Sequence, residues 1–182
     1  VIPEPNSALI VVDMQNDFVT GSLAVPDAQQ ILPFVNDYID QFGSQHRPVI
    51  FTKDFHKADH PSFKEHGGIW PKHCVIGTNG QDFAYGLDRT PAVNYTIILK
   101  GYDREAYSGF QGTPLHLYIK YNKIEAVYVC GLATDYCVQA TAMDALGQGL
   151  KVFLLTNACA GVDPTTTHIA IETMREAGIM LV

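Results

Sequence analysis

Five short apolar runs, at residues 8–12, 49–52, 96–99, 126–130 and 152–155, constrain this chain more than any other feature. They are rich in β-branched residues and apolar on both faces. A strand of that kind is buried on both sides, as in a parallel sheet held between helices. A sixth run at 179–182 fits the same reading. Helical patterns lie between the runs. Within residues 28–42, Ile31, Leu32, Val35, Tyr38, Ile39 and Phe42 line one stripe. Thr113 before Pro114, and Asp163 before Pro164, each set a capping side chain ahead of a proline suited to a first helical turn. The second signal opens a helix expected to end at Gly178, and another helix is expected over about 137–147. Strand and helix thus alternate. The expected fold class is α/β: a single domain over residues 1–182, with an open, mostly parallel sheet and helices on both faces in three layers.

Composition narrows the function. A chain of 182 residues, 47% hydrophobic and 17% charged, can bury one substantial core and is not disordered. Its formal net charge of -7, with no basic block, argues against nucleic acid and anionic membranes as partners. No apolar run approaches the roughly 20 residues that span a bilayer, and no basic-then-apolar signal segment opens the sequence. The sequence starts at Val1, so an initiator methionine, and any targeting segment removed with it, would precede it. Cys74, Cys130, Cys137 and Cys159 could form two disulfides, but a core of this size does not need them. The spacing of Cys130 and Cys137 is neither a zinc knuckle nor a redox pair. A reducing cytoplasm is the expected setting.

Ligands of open parallel sheets bind beyond the carboxyl ends of the strands. There the first run ends in Asp13, the second in Asp54 and the third in Lys100, while the fourth leads through Gly131 to Cys137 at the start of a helix. A helix N-terminus and a nearby ammonium both favour a thiolate, and a carboxylate can take the thiol proton and deliver it to a leaving amine. Taken singly, each residue also has a plain structural reading: a turn cap for Asp13, a solvated strand end for Lys100, a buried apolar thiol for Cys137, as for Cys130. The coincidence at separate strand ends is what points to chemistry. Asp54, His56 and His73, with His60 nearby, form a second constellation suited to zinc, iron(II) or manganese, although surface histidines are an equally good account of the spacing alone. His46 and His168 read as surface residues, and His66 as either. Phe18 and Trp70 offer flat walls for a planar aromatic ligand, or are ordinary core or lid aromatics. Two stretches, 56–88 and 101–112, interrupt the strand–helix rhythm, as functional connections do. There is no G-x-G-x-x-G and no P-loop.

Read together, these residues resemble the nicotinamidase and pyrazinamidase branch of the isochorismatase-like cysteine hydrolases. The segments that carry the resemblance are Ala8-Leu-Ile-Val-Val-Asp-Met-Gln-Asn-Asp-Phe, Thr52-Lys-Asp-Phe-His, Trp70-Pro-Lys-His-Cys, Lys100 with Glu105-Ala-Tyr-Ser-Gly-Phe, and Val129-Cys-Gly-Leu-Ala-Thr-Asp-Tyr-Cys-Val. The resemblance implies Asp13, Lys100 and Cys137 as the catalytic triad and Asp54, His56 and His73 as metal ligands. His60 matches a fourth ligand used in some members. It implies one divalent ion, with zinc favoured over iron and manganese. It also implies a non-proline cis peptide between Leu132 and Ala133, and an oxyanion hole from the N–H groups of Ala133 and Cys137. The ring of a nicotinamide-like amide would lie between Phe18 and Trp70 and against Leu132 and Ala133. The implied activity is hydrolysis of nicotinamide, and of pyrazinamide, through a cysteine thioester, in NAD salvage. Tyr136 is given no role. Self-association is the working expectation, since the family contains monomers and oligomers. Three rival readings differ in what they require. A carbamoyl-amide hydrolase would keep the triad without the Asp-x-His set, an isochorismatase-type hydrolase would lack the cysteine, and a non-catalytic small-molecule binder would need a phosphate-binding turn.

Overall fold

The computed structural model describes residues 2–182, so Val1 lies outside it. The first apolar run becomes β1 (Ser7–Val12), buried at every position. Its residues divide by parity. Leu9 and Val11 enter one hydrophobic cluster, and Ala8, Ile10 and Val12 enter a second on the opposite face. A side chain points to alternate faces along a strand, so an unbroken apolar run serves two cores at once. The other strands are β2 (Val49–Asp54), β3 (Tyr95–Lys100), β4 (Ala126–Leu132), β5 (Lys151–Ala160) and β6 (Met180–Leu181). The helices are α1 (Asn16–Val19), α2 (Ala28–Ser44), α3 (Leu115–Tyr121), α4 (Gln139–Gly147) and α5 (Pro164–Glu176). Residues of α2 build the first cluster, and residues of α3, α4 and α5 build the second.

The six strands are parallel and lie in the order β3-β2-β1-β4-β5-β6. The chain therefore lays strands outward from β1 to one edge, then returns to place β4 on the other side of β1. This reversal leaves a crevice beyond the carboxyl ends of β1 and β4, where connections depart in opposite directions. Close approach of those two strands requires a glycine. A Cβ on Gly131 would lie 2.2 Å from the carbonyl oxygen of Val12. Among the described residues, no helix is long and apolar enough to cross a membrane.

The structure corrects two expectations. The third run is not buried on both faces: Tyr95, Ile97 and Leu99 are 49%, 38% and 46% exposed. β3 is the edge strand, and α2 packs over β5, β1, β4 and β2. Apolar composition alone could not separate an edge strand from a central one. Cys137 also does not open an ordinary α-helix. A π-helical turn, Thr134–Val138, precedes α4 and contains it. Of the two expected caps, Asp163 stands in the expected register ahead of Pro164, and Thr113 is displaced by one residue. Asp163 accepts hydrogen bonds from the N–H groups of Thr165 and Thr166, and Thr113 accepts one from Leu115, with α3 starting one residue after Pro114.

Candidate active site

Asp13 follows β1 immediately, and its backbone takes a left-handed conformation, φ 48°. That turn lifts the chain out of the sheet and leaves the carboxylate completely buried at the switch point. Thr52, on β2, donates its hydroxyl to Oδ1 of Asp13 at 2.6 Å. Among the described residues Oδ2 has no directed hydrogen bond, but it lies 2.8 Å from Nζ of Lys100. Lys100 closes β3 and is also buried. Its ammonium lies 2.5 Å from Oδ1 of Asp54, 3.0 Å from the carbonyl of Ala106 and 3.5 Å from Sγ of Cys137. The three side chains from separate strand ends thus meet as one group.

Burial sets the proton affinities, and neighbours adjust them. Burial raises the Asp13 carboxyl, Lys100 opposes the rise, and Asp54 adds to it. Burial also pushes the Cys137 thiol well above its ordinary value, with Lys100 pulling it back. For Lys100 burial alone would favour the neutral amine, yet Asp13 and Asp54 more than offset this and keep it charged. Burial thus disfavours the charged forms of Cys137 and Asp13, while the two carboxylates keep the Lys100 ammonium charged between them.

Asp54 ends β2, and its second oxygen faces a different group. Oδ2 lies 3.4 Å from Nε2 of His56 and 3.8 Å from Nε2 of His73. Donor atoms of these three residues all fall within 4.8 Å of one another, the spacing of a metal site. Backbone carbonyls fix both rings: Nδ1 of His56 is 2.5 Å from the oxygen of Gly101, and Nδ1 of His73 is 2.7 Å from that of Pro71. A carbonyl can only accept, so the proton sits on Nδ1 and Nε2 is left with a free lone pair. Gly101 must lack a side chain, because a Cβ there would lie 2.6 Å from Cε1 of His56. The convergence of two such lone pairs on a carboxylate fits a divalent cation. His60 stacks near His56, with ring centroids 4.2 Å apart. It stands outside the converging three, but its Nε2 is buried and has no hydrogen-bond partner among the described residues. Burial opposes charge on His73 and His60 and lowers both. For His56 burial also opposes charge, but the adjacent Asp54 carboxylate and the Gly101 carbonyl, both of which favour the protonated ring, together outweigh burial and raise it. His46, His66 and His168 are exposed.

Cys137 from the first constellation and Asp54, His56 and His73 from the second line one cleft, whose walls include Phe18, Trp70, Leu132 and Ala133. The Leu132–Ala133 peptide bond is cis. Sequence reasoning missed part of the wall. Tyr107 and Tyr136 line the cleft, and Tyr136 packs against Trp70 and Tyr107 with ring centroids 5.0 Å and 5.7 Å away. The Trp70 indole N–H reaches both Glu105 (3.1 Å) and the Tyr107 hydroxyl (3.0 Å), tying the two long connections together. Leu23, Val25 and Val162 complete the apolar lining. The position of Tyr136 beside Cys137, and that of Tyr107 in the Glu105–Phe110 segment, were the available signals; Val162 had none.

Comparison with known proteins is consistent with this geometry. Residues 7–182 match the isochorismatase domain family. The nicotinamidase/pyrazinamidase of Mycobacterium tuberculosis is 42% identical, over 96% of this chain and 97% of the relative. The pyrazinamidase of Pyrococcus horikoshii in complex with zinc superposes with a TM-score of 0.92 at 45% identity, covering 98% of this chain and 99% of the other. The L. infantum PnC1 in complex with nicotinate superposes with a TM-score of 0.89 at 34% identity, covering 97% and 91%.

Proposed function

The chain belongs to the isochorismatase family, and from that premise we propose that it is an amidase that hydrolyses nicotinamide, and pyrazinamide with it, to the carboxylic acid and ammonia, in NAD salvage. One observation carries this reading: Cys137, backed by the buried Lys100 and Asp13, lines the same cleft as the converging Asp54, His56 and His73. The carbamoyl-amide alternative requires only the first set. The presence of the second, together with relatives that act on nicotinamide and pyrazinamide, favours a heteroaromatic amide.

The chemistry assigned to each residue follows from its surroundings. Asp13 takes the Cys137 proton as sulfur attacks the amide carbon. Burial raises both groups, and the Lys100 charge opposes the rise in each. Lys100 stays charged and stabilises whichever of the two bears the negative charge. Backbone N–H groups of Ala133 and Cys137 receive the oxyanion. Asp13 returns the proton to the departing ammonia, leaving an acyl thioester on Cys137. Water then gives a proton to Asp13 and attacks the thioester. The acid departs, and the sulfur recovers its proton from Asp13. Phe18 and Trp70 hold the planar ring, with Leu132 and Ala133 beneath it.

Asp54, His56 and His73 would hold one divalent ion, with His60 a candidate fourth ligand through its unpartnered Nε2. Such an ion supplies a Lewis-acid anchor for a ring nitrogen, directly or through bound water, and so sets the ring's orientation. The zinc in the Pyrococcus relative favours zinc here over iron or manganese. A nucleophilic thiol suits the reducing cytoplasm, and the stretch is read as one hydrolase domain. Self-association is assigned to the exposed edge strand β3. The decisive test is ammonia release from nicotinamide by the purified protein, beside Cys137→Ala and a chelator-treated sample. Turnover should disappear in both controls. A metal-replete protein that spares nicotinamide and cleaves N-carbamoyl compounds would move the substrate to that class.

A further inference from the structure

We infer that Gln15 is a positioning residue, one that fixes Asp54 by taking the place of a missing strand neighbour. The β1–β2 ladder pairs Leu9 with Val49, Ile10 with Ile50 and Val11 with Phe51. After Val12, β1 ends and the chain turns away at Asp13. β2 continues for three residues beyond Phe51, so the main chain of Asp54 projects toward a strand that is no longer there. The side-chain amide of Gln15 fills that place. Its Oε1 accepts the Asp54 N–H at 2.8 Å, and its Nε2 donates to the Asp54 carbonyl at 2.9 Å. The other amide hydrogen goes to the carbonyl of Gln81, also at 2.9 Å. Gln15 is fully buried. A primary amide offers both of the groups that a peptide bond offers, so one side chain prolongs the ladder by one rung.

The rung matters because Asp54 serves two groups. Oδ1 meets Lys100, and Oδ2 faces His56 and His73. On its other side Asp54 is in register with Lys100 on β3. Without Gln15, Asp54 would be held from that side alone, at the free end of a strand. Small rotations there would move the carboxylate relative to both histidines and the ammonium. The bond to Gln81 also fastens the long 56–88 connection, which carries His73, to the same point.

This inference rests on the reading of Asp54 as a metal ligand, and the experiment separates the two. Zinc affinity of apo-protein is measured by competition with a chromophoric chelator for wild type, Asp54→Asn, Gln15→Met and Gln15→Glu. Visible spectra of the cobalt(II)-loaded proteins are recorded alongside, and circular dichroism confirms folding. Gln15→Met keeps the length of the side chain and removes every hydrogen bond. Gln15→Glu keeps an acceptor for the Asp54 N–H and loses both donors. Both should bind zinc about 10–100-fold more weakly than wild type, the range for residues that orient a ligand, with an altered cobalt spectrum and native circular dichroism. Should Gln15→Met fail to fold, Gln15→Glu carries the test. Wild-type affinity and an unchanged spectrum in the folded variants, even with a lowered melting temperature, would overturn the inference by making Gln15 a general strut. Wild type binding zinc no better than Asp54→Asn would overturn the metal reading itself, and this inference with it.

Discussion

Lys100 has more partners than its ammonium has protons. Two carboxylates, a carbonyl and a sulfur surround three N–H bonds, and the Lys100 side chain itself is not exposed to water. Removing one member of a buried charge cluster costs about 3–5 kcal/mol, mostly because the remaining charges lose compensation. Lys100→Met should destabilise the protein by that order at neutral pH and lower kcat/KM by about 100-fold or more. The sign of the pH dependence follows from Asp13. Its carboxyl is already raised, and loss of Lys100 raises it further. A group that binds its proton more tightly when folded adds stability at low pH and loses it as pH rises through the folded value. The deficit of Lys100→Met, measured by urea unfolding, should therefore shrink on acidification; a constant deficit would refute the charge argument. In the wild type, the acid limb of kcat/KM should lie above the ordinary aspartate value of 3.8, as a property of the coupled group. Asp13, Lys100, Cys137, Asp54 and His56 were legible because strand ends converge by topology. Gln15, Tyr107 and Tyr136 were not, because their partners Asp54 and Trp70 lie 37 or more residues away in the chain for Gln15 and Tyr107, and across a cleft for Tyr136.

At the scale of elements, the regular pieces were more legible than the connections that make the cleft. A buried parallel strand announces itself as an apolar run, and α2 as a stripe with Ile31, Val35, Tyr38, Ile39 and Phe42 buried. The π-helical turn at Thr134–Val138 has no comparable signature, since one extra residue per turn leaves the local composition unchanged. The two long connections were recognisable as irregular, but not as a pair. They are joined where the Trp70 indole meets Glu105 and Tyr107. Trp70→Phe keeps a flat wall and removes the donor. A hydrogen bond contributes a net of about 0.5–1.5 kcal/mol, which is a factor of about 2–12. The variant should raise KM for nicotinamide by that factor and leave kcat close to wild type, since the triad belongs to other elements. A fall in kcat at constant KM would instead place Trp70 in the chemical step.

For the whole molecule, the layered α/β architecture followed from the alternation of runs, whereas strand order did not. Order depends on which side of β1 the chain returns to, and no local pattern encodes that. The return sets both the crevice and the free edge. β3 ends the sheet, with no neighbouring strand among the described residues. The carbonyls of Asn94 and Lys100 accept from Val49, at the start of β2, and from Phe55, just past its end, so even-numbered positions turn their main chain inward and odd-numbered ones turn it outward. Tyr95, Ile97 and Leu99 thus present unpaired main-chain groups as well as exposed apolar side chains. Edge strands are usually protected by charge, proline or a bulge, and the run Tyr95-Thr-Ile-Ile-Leu has none of these. A second copy related by a two-fold axis through Ile97 would set Tyr95 against Leu99 of its mate on both sides, which makes the strand its own complement. Sedimentation equilibrium should accordingly find a wild-type dimer and a monomeric Ile97→Lys of unchanged kcat, because the exposed Ile97 side chain lies on the opposite face of β3 from the buried Lys100. A monomeric wild type at micromolar concentration would remove the edge as the site of self-association, and a dimer that survives Ile97→Lys would move the interface to another face.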